Sequence, residues 1–124
     1  MHIRRMQQKY SRNARFYDLV EWPFRNLRAA AIDELQLRPG DVVLDLGCGT
    51  GLSFALLEDA VGPSGQIVAV DVSPDMLARA LEKSIRHRWT NISLIEADAE
   101  TIGFQADSVD RVLCFYSIPA SSVL

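Results

Sequence analysis

The chain has 124 residues, 48% hydrophobic and 23% charged, with five prolines and a net charge of −3. That balance suits a single globular domain and excludes the disordered, collagenous and disulfide-rich classes. No apolar run reaches the length of about 18 residues needed for a membrane span, and the first residues lack the apolar core of a signal peptide, so a cytoplasmic location is expected.

In chain order, the first segment is basic. Residues 1–40 carry eight Lys/Arg against four Asp/Glu, whereas residues 41–124 carry five against twelve. Arg4, Arg5, Lys9, Arg12 and Arg15 suit weak contact with an anionic membrane surface, with a solvated helix face as the ordinary alternative. No aromatic interleaving or basic groove follows, so nucleic acid is not an expected partner. Tyr10, Ala14 and Tyr17 at one helical spacing, and Phe16, Val20 and Phe24 at another, predict a helix over about residues 6–20. Pro23 can open a second helix running to residue 37, with Leu27, Ala31 and Leu35 inward and Pro39-Gly40 as the stop.

Val42-Val43-Leu44-Asp45-Leu46 reads as a nearly continuous apolar strand, the kind that is covered on both faces in the centre of a parallel sheet. Gly47, Gly49 and Gly51 then mark a sharp turn that a ligand can approach without meeting Cβ atoms. A helix is predicted over residues 52–61, with Leu52, Leu56 and Leu57 on one face, ended by Gly62-Pro63-Ser64-Gly65. Gln66 to Asp71 forms a second strand closing on an acid, and Ser73 (N-cap) with Pro74 opens a third helix to about His87. Residues 91–96 and 109–116 read as the third and fourth strands. The order βαβαβ followed by β predicts an open parallel α/β sheet. Cys48 and Cys114 have no second Cys or His at metal-ligand spacing, so they read as reduced thiols and no metal is expected.

Ligands of such sheets lie at the carboxyl ends of the strands. Asp71 stands 20 residues beyond Gly51, where an acid can accept hydrogen bonds from both hydroxyls of a ribose. The dinucleotide fingerprint fails, because the sixth position counted from Gly47 is Leu52, and no phosphate-loop Gly-Lys-Ser/Thr is present. A nucleoside without phosphates fits better, and Asp45 suits an ammonium or sulfonium group.

Val43-Leu44-Asp45-Leu46-Gly47-Cys48-Gly49-Thr50-Gly51 resembles the first motif of class I S-adenosylmethionine-dependent methyltransferases. Val68-Ala69-Val70-Asp71-Val72-Ser73-Pro74-Asp75-Met76-Leu77 resembles their second motif. Glu96-Ala97-Asp98-Ala99-Glu100 and Asp107-Ser108-Val109-Asp110-Arg111-Val112 are similar to the third and fourth. The segment from Tyr10 to Leu19 resembles the leading helix of the ubiquinone/menaquinone-biosynthesis and phosphatidylethanolamine N-methyltransferase group.

The resemblance implies a Rossmann-like sheet, strand order 3-2-1-4, with two N-terminal helices. It implies S-adenosylmethionine or S-adenosylhomocysteine as cofactor. Gly47 and Gly49 would approach its methionine part and ribose, with Cys48, Thr50 and Gly51 shaping the turn. Asp45 would orient the ammonium group, or else act as a helix-start charge partner. Asp71 would take the ribose hydroxyls. Val72 and Met76 would flank the adenine, with plain core as the alternative for Met76, and Asp98 with the Ala99 amide would bind its edge. Tyr10 and Tyr17 would either fold over the cofactor or pack on the sheet. No catalytic residue is assigned, since neither His2 nor His87 falls near a strand end.

The family's fifth to seventh strands have no counterpart here. The expectation is one partial domain, residues 1–38 as helices and lid and 39–124 as the cofactor half. The acceptor would be a small molecule or lipid. The fourth strand would form an apolar edge prone to self-association, and a non-catalytic or oligomerising module is the alternative function.

Overall fold

The computed structural model describes residues 25–98 and 108–114. The helix expected over residues 6–20, with Tyr10 and Tyr17, lies outside them, as do Ala99 and residues 115–116. The described elements are α1 (Arg25–Asp33), β1 (Val42–Leu46), α2 (Phe54–Val61), β2 (Gln66–Asp71), α3 (Pro74–His87), β3 (Ile92–Glu96) and β4 (Arg111–Leu113).

The strands form one parallel sheet in the order β3-β2-β1-β4, so the expected Rossmann-like topology is present with β1 central. The register places Val43 beside Ile67 and Arg111, and Asp45 beside Ala69 and Leu113. Alternate strand residues point to one face. On that face Val43, Ile67, Ala69 and Leu113 pack with Ile32 of α1, Phe54, Leu57 and Val61 of α2, and Ala80 of α3. Each large apolar side chain sealed in this layer contributes about 1.5–3 kcal/mol. No helix among the described residues is long and apolar enough to cross a membrane.

The bounds of β1, β2 and α3 agree with the sequence reading, and Ser73 does cap α3, accepting from the Met76 amide at 3.2 Å. Five expectations need correction. Helix α1 stops at Asp33, not residue 37, because Leu35 and Gln36 donate back three residues and Gln36 turns left-handed at φ 52°. Its buried stripe runs through Arg28 and Ile32, with Ala31 and Leu35 alongside, whereas Leu27 is 60% exposed. Helix α2 begins at Phe54, since residues 51–53 complete the turn and Phe54 bonds back to the Gly51 carbonyl. Its buried face is Phe54, Leu57 and Val61, with Leu52 and Leu56 only half-buried. Strand β4 begins at Arg111, two residues late, because Asp110 meets Val42 through its side chain as well as its backbone: its Oδ2 accepts from Val42 N–H at 2.7 Å.

Arg111 also ties the turn after α1 to the sheet edge, its Nε donating to the Leu35 carbonyl at 2.9 Å.

Candidate functional site

The site is built where β1 and β2 end side by side. At the end of β1 the chain reverses through Gly47, Gly49 and Gly51, all three left-handed at φ 71°, 58° and 87°. The turn stays tied to the neighbouring strand, because both Gly47 and Cys48 donate to the Val70 carbonyl, at 2.8 and 2.9 Å. Gly51 is required twice over. Its φ disfavours any side chain, and a Cβ there would stand 2.7 Å from the Phe54 ring. Lys83 of α3 closes the outer side, donating to the Gly51 carbonyl at 3.4 Å.

Asp71, at the end of β2, is only 2% exposed and already employed. Its Oδ2 accepts from the Gly49 amide at 2.8 Å and its Oδ1 from the Ser73 amide at 2.9 Å. One carboxylate therefore holds the glycine turn and the start of α3 together. Burial raises its pKa, and the amide bonds from Ser73, Gly49 and Val72 draw it back down. The Asp71 carbonyl in turn accepts from Ala97 at 3.0 Å, which brings Asp98, half-buried, to the same end of the sheet.

Asp45 is the contrasting acid. It is 3% exposed and its Oδ2 has no hydrogen-bond partner among the described residues. Desolvation pushes its pKa up to about 7, opposed by the charge of Arg28 and assisted by that of Asp71. A buried carboxylate oxygen without a donor is costly unless a ligand supplies one. The same burial, with the negative field of Asp45 and Asp71, pushes the Cys48 thiol well up, so it is a neutral packing group rather than a nucleophile.

Of the expected cofactor contacts, Asp45, Gly47, Cys48, Gly49, Gly51, Asp71, Val72 and Asp98 gather at this end of the sheet. Met76 is there too and fully buried. Tyr10, Tyr17 and Ala99 lie outside the described residues. His87 sits at the far end of α3, stacked on Trp89 with centroids 4.4 Å apart. Two residues at the site escaped the sequence reading. Arg28 is 6% exposed and donates through Nη1 to Ser53 Oγ at 2.8 Å, tying α1 to the start of α2. Its signal was its place one helical turn before Ile32, on the stripe that proved to face inward.

The donor set fits S-adenosylmethionine. An unsatisfied anionic oxygen can meet an ammonium group, and the glycine turn leaves backbone open to close approach.

Comparison with known proteins agrees. The family described as Methyltransferase domain matches residues 43–122. Aklanonic acid methyltransferase DauC of Streptomyces sp. (strain C5) is 32% identical over 117 residues, 93% of this chain and 53% of its own length. Demethylmenaquinone methyltransferase of Shouchella clausii is 32% identical over 88 residues, covering 71% of this chain and 37% of its own. Among solved structures, Haemonchus contortus phosphoethanolamine N-methyltransferase 2 in complex with S-adenosyl-L-methionine superposes with a TM-score of 0.63 at 26% identity, over 74% of this chain and 23% of that one. The chain thus spans about half, or less, of the length of these relatives. It belongs to the methyltransferase-domain family, among the class I S-adenosylmethionine-dependent methyltransferases, with S-adenosylmethionine or S-adenosylhomocysteine as cofactor.

Proposed function

We propose that this chain is the cofactor-binding part of a cytoplasmic methyltransferase acting on a small-molecule or lipid acceptor. The observation that carries the proposal is the buried, donorless Oδ2 of Asp45 beside the glycine turn. The matched relatives, named for aklanonic acid, demethylmenaquinone and phosphoethanolamine, support a small acceptor.

Asp45 orients the cofactor's ammonium group. The backbone at Gly47 and Gly49 faces its methionine part and ribose, and Asp71 accepts from the ribose hydroxyls with the lone pairs its amide bonds leave. Val72 flanks the adenine with Met76 beneath, and Asp98 with the Ala99 amide meets the adenine edge. Tyr10 and Tyr17 cover the cofactor. S-adenosylmethionine supplies an electrophilic methyl group on a sulfonium, so no protein nucleophile is required. What the residues contribute is alignment of the methyl group and exclusion of water.

Calorimetric titration of the folded protein with S-adenosylhomocysteine is expected to show saturable binding to one site per chain. A folded sample that takes up no ligand at high protein concentration overturns the proposal.

One observation favours a second role, association of chains. β4 is the outermost described strand next to β1, and its Val112 is 42% exposed. An outer strand that carries an exposed apolar side chain invites pairing. Light scattering is expected to give a mass above that of one chain. A monomer at high concentration removes this role and leaves cofactor binding untouched.

A further inference from the structure

We propose that the outer edge of β3, with the flank of α3 above it, pairs with a second copy of this chain about a two-fold axis. β3 lies at the opposite end of the sheet from β4, so this surface is independent of the β4 edge. Among the described residues no strand lies beyond it. Its ladder to β2 fixes which way each backbone group points. The Ile67 amide donates to the Asn91 carbonyl and the Ala97 amide to the Asp71 carbonyl, both at 3.0 Å. Odd-numbered residues therefore face β2, and the amides and carbonyls of Ile92, Leu94 and Glu96 face outward. Edges of this kind are commonly blunted by lysine, proline or a bulge, and Ile92–Glu96 carries none of these.

The side chains along the same edge are apolar. Ile92 stands beside Ile67 and Leu94 beside Ala69, so both lie on the face that the helices cover. Above them α3 buries Met76, Ala80 and Ser84 and leaves Leu81 and Ile85, one turn apart, 50% and 66% exposed. Lys83, on one flank of that buried line, reaches the Gly51 carbonyl after β1. Leu81 and Ile85, on the other flank, therefore overhang β3.

Three features make this surface complementary to itself. Antiparallel pairing centred on Leu94 sets Ile92 opposite the Glu96 of the second copy and Leu94 opposite its own equivalent, so every outward amide and carbonyl of the three residues gains a partner. The same axis, normal to the sheet, lays the two α3 helices side by side. Because α3 packs on both β2 and β3, and strands lie about 4.8 Å apart, the helices stand roughly 10 Å apart, an ordinary packing distance. Leu81 and Ile85 then close against their equivalents. Charge agrees with this arrangement. Arg86 and Arg88, exposed at the end of α3, lie where β3 begins, and Glu96, also exposed, lies where it ends. Antiparallel pairing lays the acidic end of one edge on the basic end of the other.

The test is sedimentation of the chain over a range of concentration, with amide hydrogen exchange read residue by residue. The wild type is expected to reach at least twice the 13.8 kDa of one chain and to protect the Ile92, Leu94 and Glu96 amides as it does so. Leu81→Lys combined with Ile85→Lys sets lysines against lysines across the axis. It is expected to weaken this pairing at least about 100-fold and to unprotect the three amides, with the fold retained because both positions are exposed. Val112→Lys on β4 is expected to leave their protection unchanged. If the double variant does not fold, dilution of the wild type decides in its place, protection of the three amides falling together with the mass. A wild type that stays monomeric at millimolar concentration overturns the inference, as does a folded double variant that keeps the amides protected. Associated protein in which the three amides exchange freely overturns it as well and assigns the contact to another surface.

Discussion

Replacing Asp71 with alanine is expected to lower the melting midpoint of the ligand-free protein by about 10 °C and to weaken S-adenosylhomocysteine binding by at least about 100-fold. The stability loss comes chiefly from the Gly49 and Ser73 amides, which donate to the carboxylate from different segments and are left buried without acceptors. Hydrogen bonds to a charged group contribute roughly 1.5–3 kcal/mol each. Desolvation of the same carboxylate, evident in its raised pKa, offsets part of this, so a net cost of about 2–4 kcal/mol is expected. Affinity falls because the turn loosens and because the ribose loses its acceptor. The two readouts separate the roles. An unchanged midpoint would mean that the turn holds its shape without Asp71. A lowered midpoint with undiminished affinity, measured well below both transitions, would take the ribose away from Asp71.

Asp45→Asn is expected to flatten the pH dependence of stability and to abolish measurable cofactor binding. The folded-state pKa of Asp45, about 7, lies above its unfolded value, so the native protein holds the proton more tightly. Its contribution to stability is fully present below the unfolded value and is lost as pH rises through about 7. Between pH 5 and pH 8 the wild type is therefore expected to lose about 2–3 kcal/mol through this group alone. Asp71 and Glu58 are raised by burial in the same direction and leave a residual slope in the variant. Denaturant unfolding at the two pH values measures the difference. An Asn variant with the full wild-type slope would show that Asp45 does not titrate in this window.

The parts of the fold that were legible in the sequence are those where one local rule acts without competition. β1 and β2 are nearly continuous apolar runs bounded by Asp41 or Gly65 on one side and by the glycine turn or Val72-Ser73 on the other, and α3 carries its own cap and first-turn proline. The glycine turn was legible for the same reason: glycines at alternate positions after an apolar strand have few other uses. What escaped depended on tertiary contacts. The stripe of Leu27, Ala31 and Leu35 and that of Arg28, Ile32 and Leu35 differ at two positions, each moved along by one, and hydrophobicity favours the first. The structure takes the second, because Ser53, outside the helix, accepts a hydrogen bond from the guanidinium. Phe54 was missed because Leu52 has an equal claim to begin the helix. The ring of Phe54 fills the space beside Gly51 only once the turn has closed.

The shared bond of Gly47 and Cys48 to the Val70 carbonyl also orders events during synthesis. That oxygen belongs to β2, on the far side of the α2 crossover, so a nascent chain ending before Val70 contains every glycine of the turn but nothing to close it against. Loop closure between β1 and β2 has to be completed before the non-local bonds can form. The emerging polypeptide thus meets its nucleoside only after the first crossover has docked, and ligand captured during translation would report that docking rather than the emergence of the glycines.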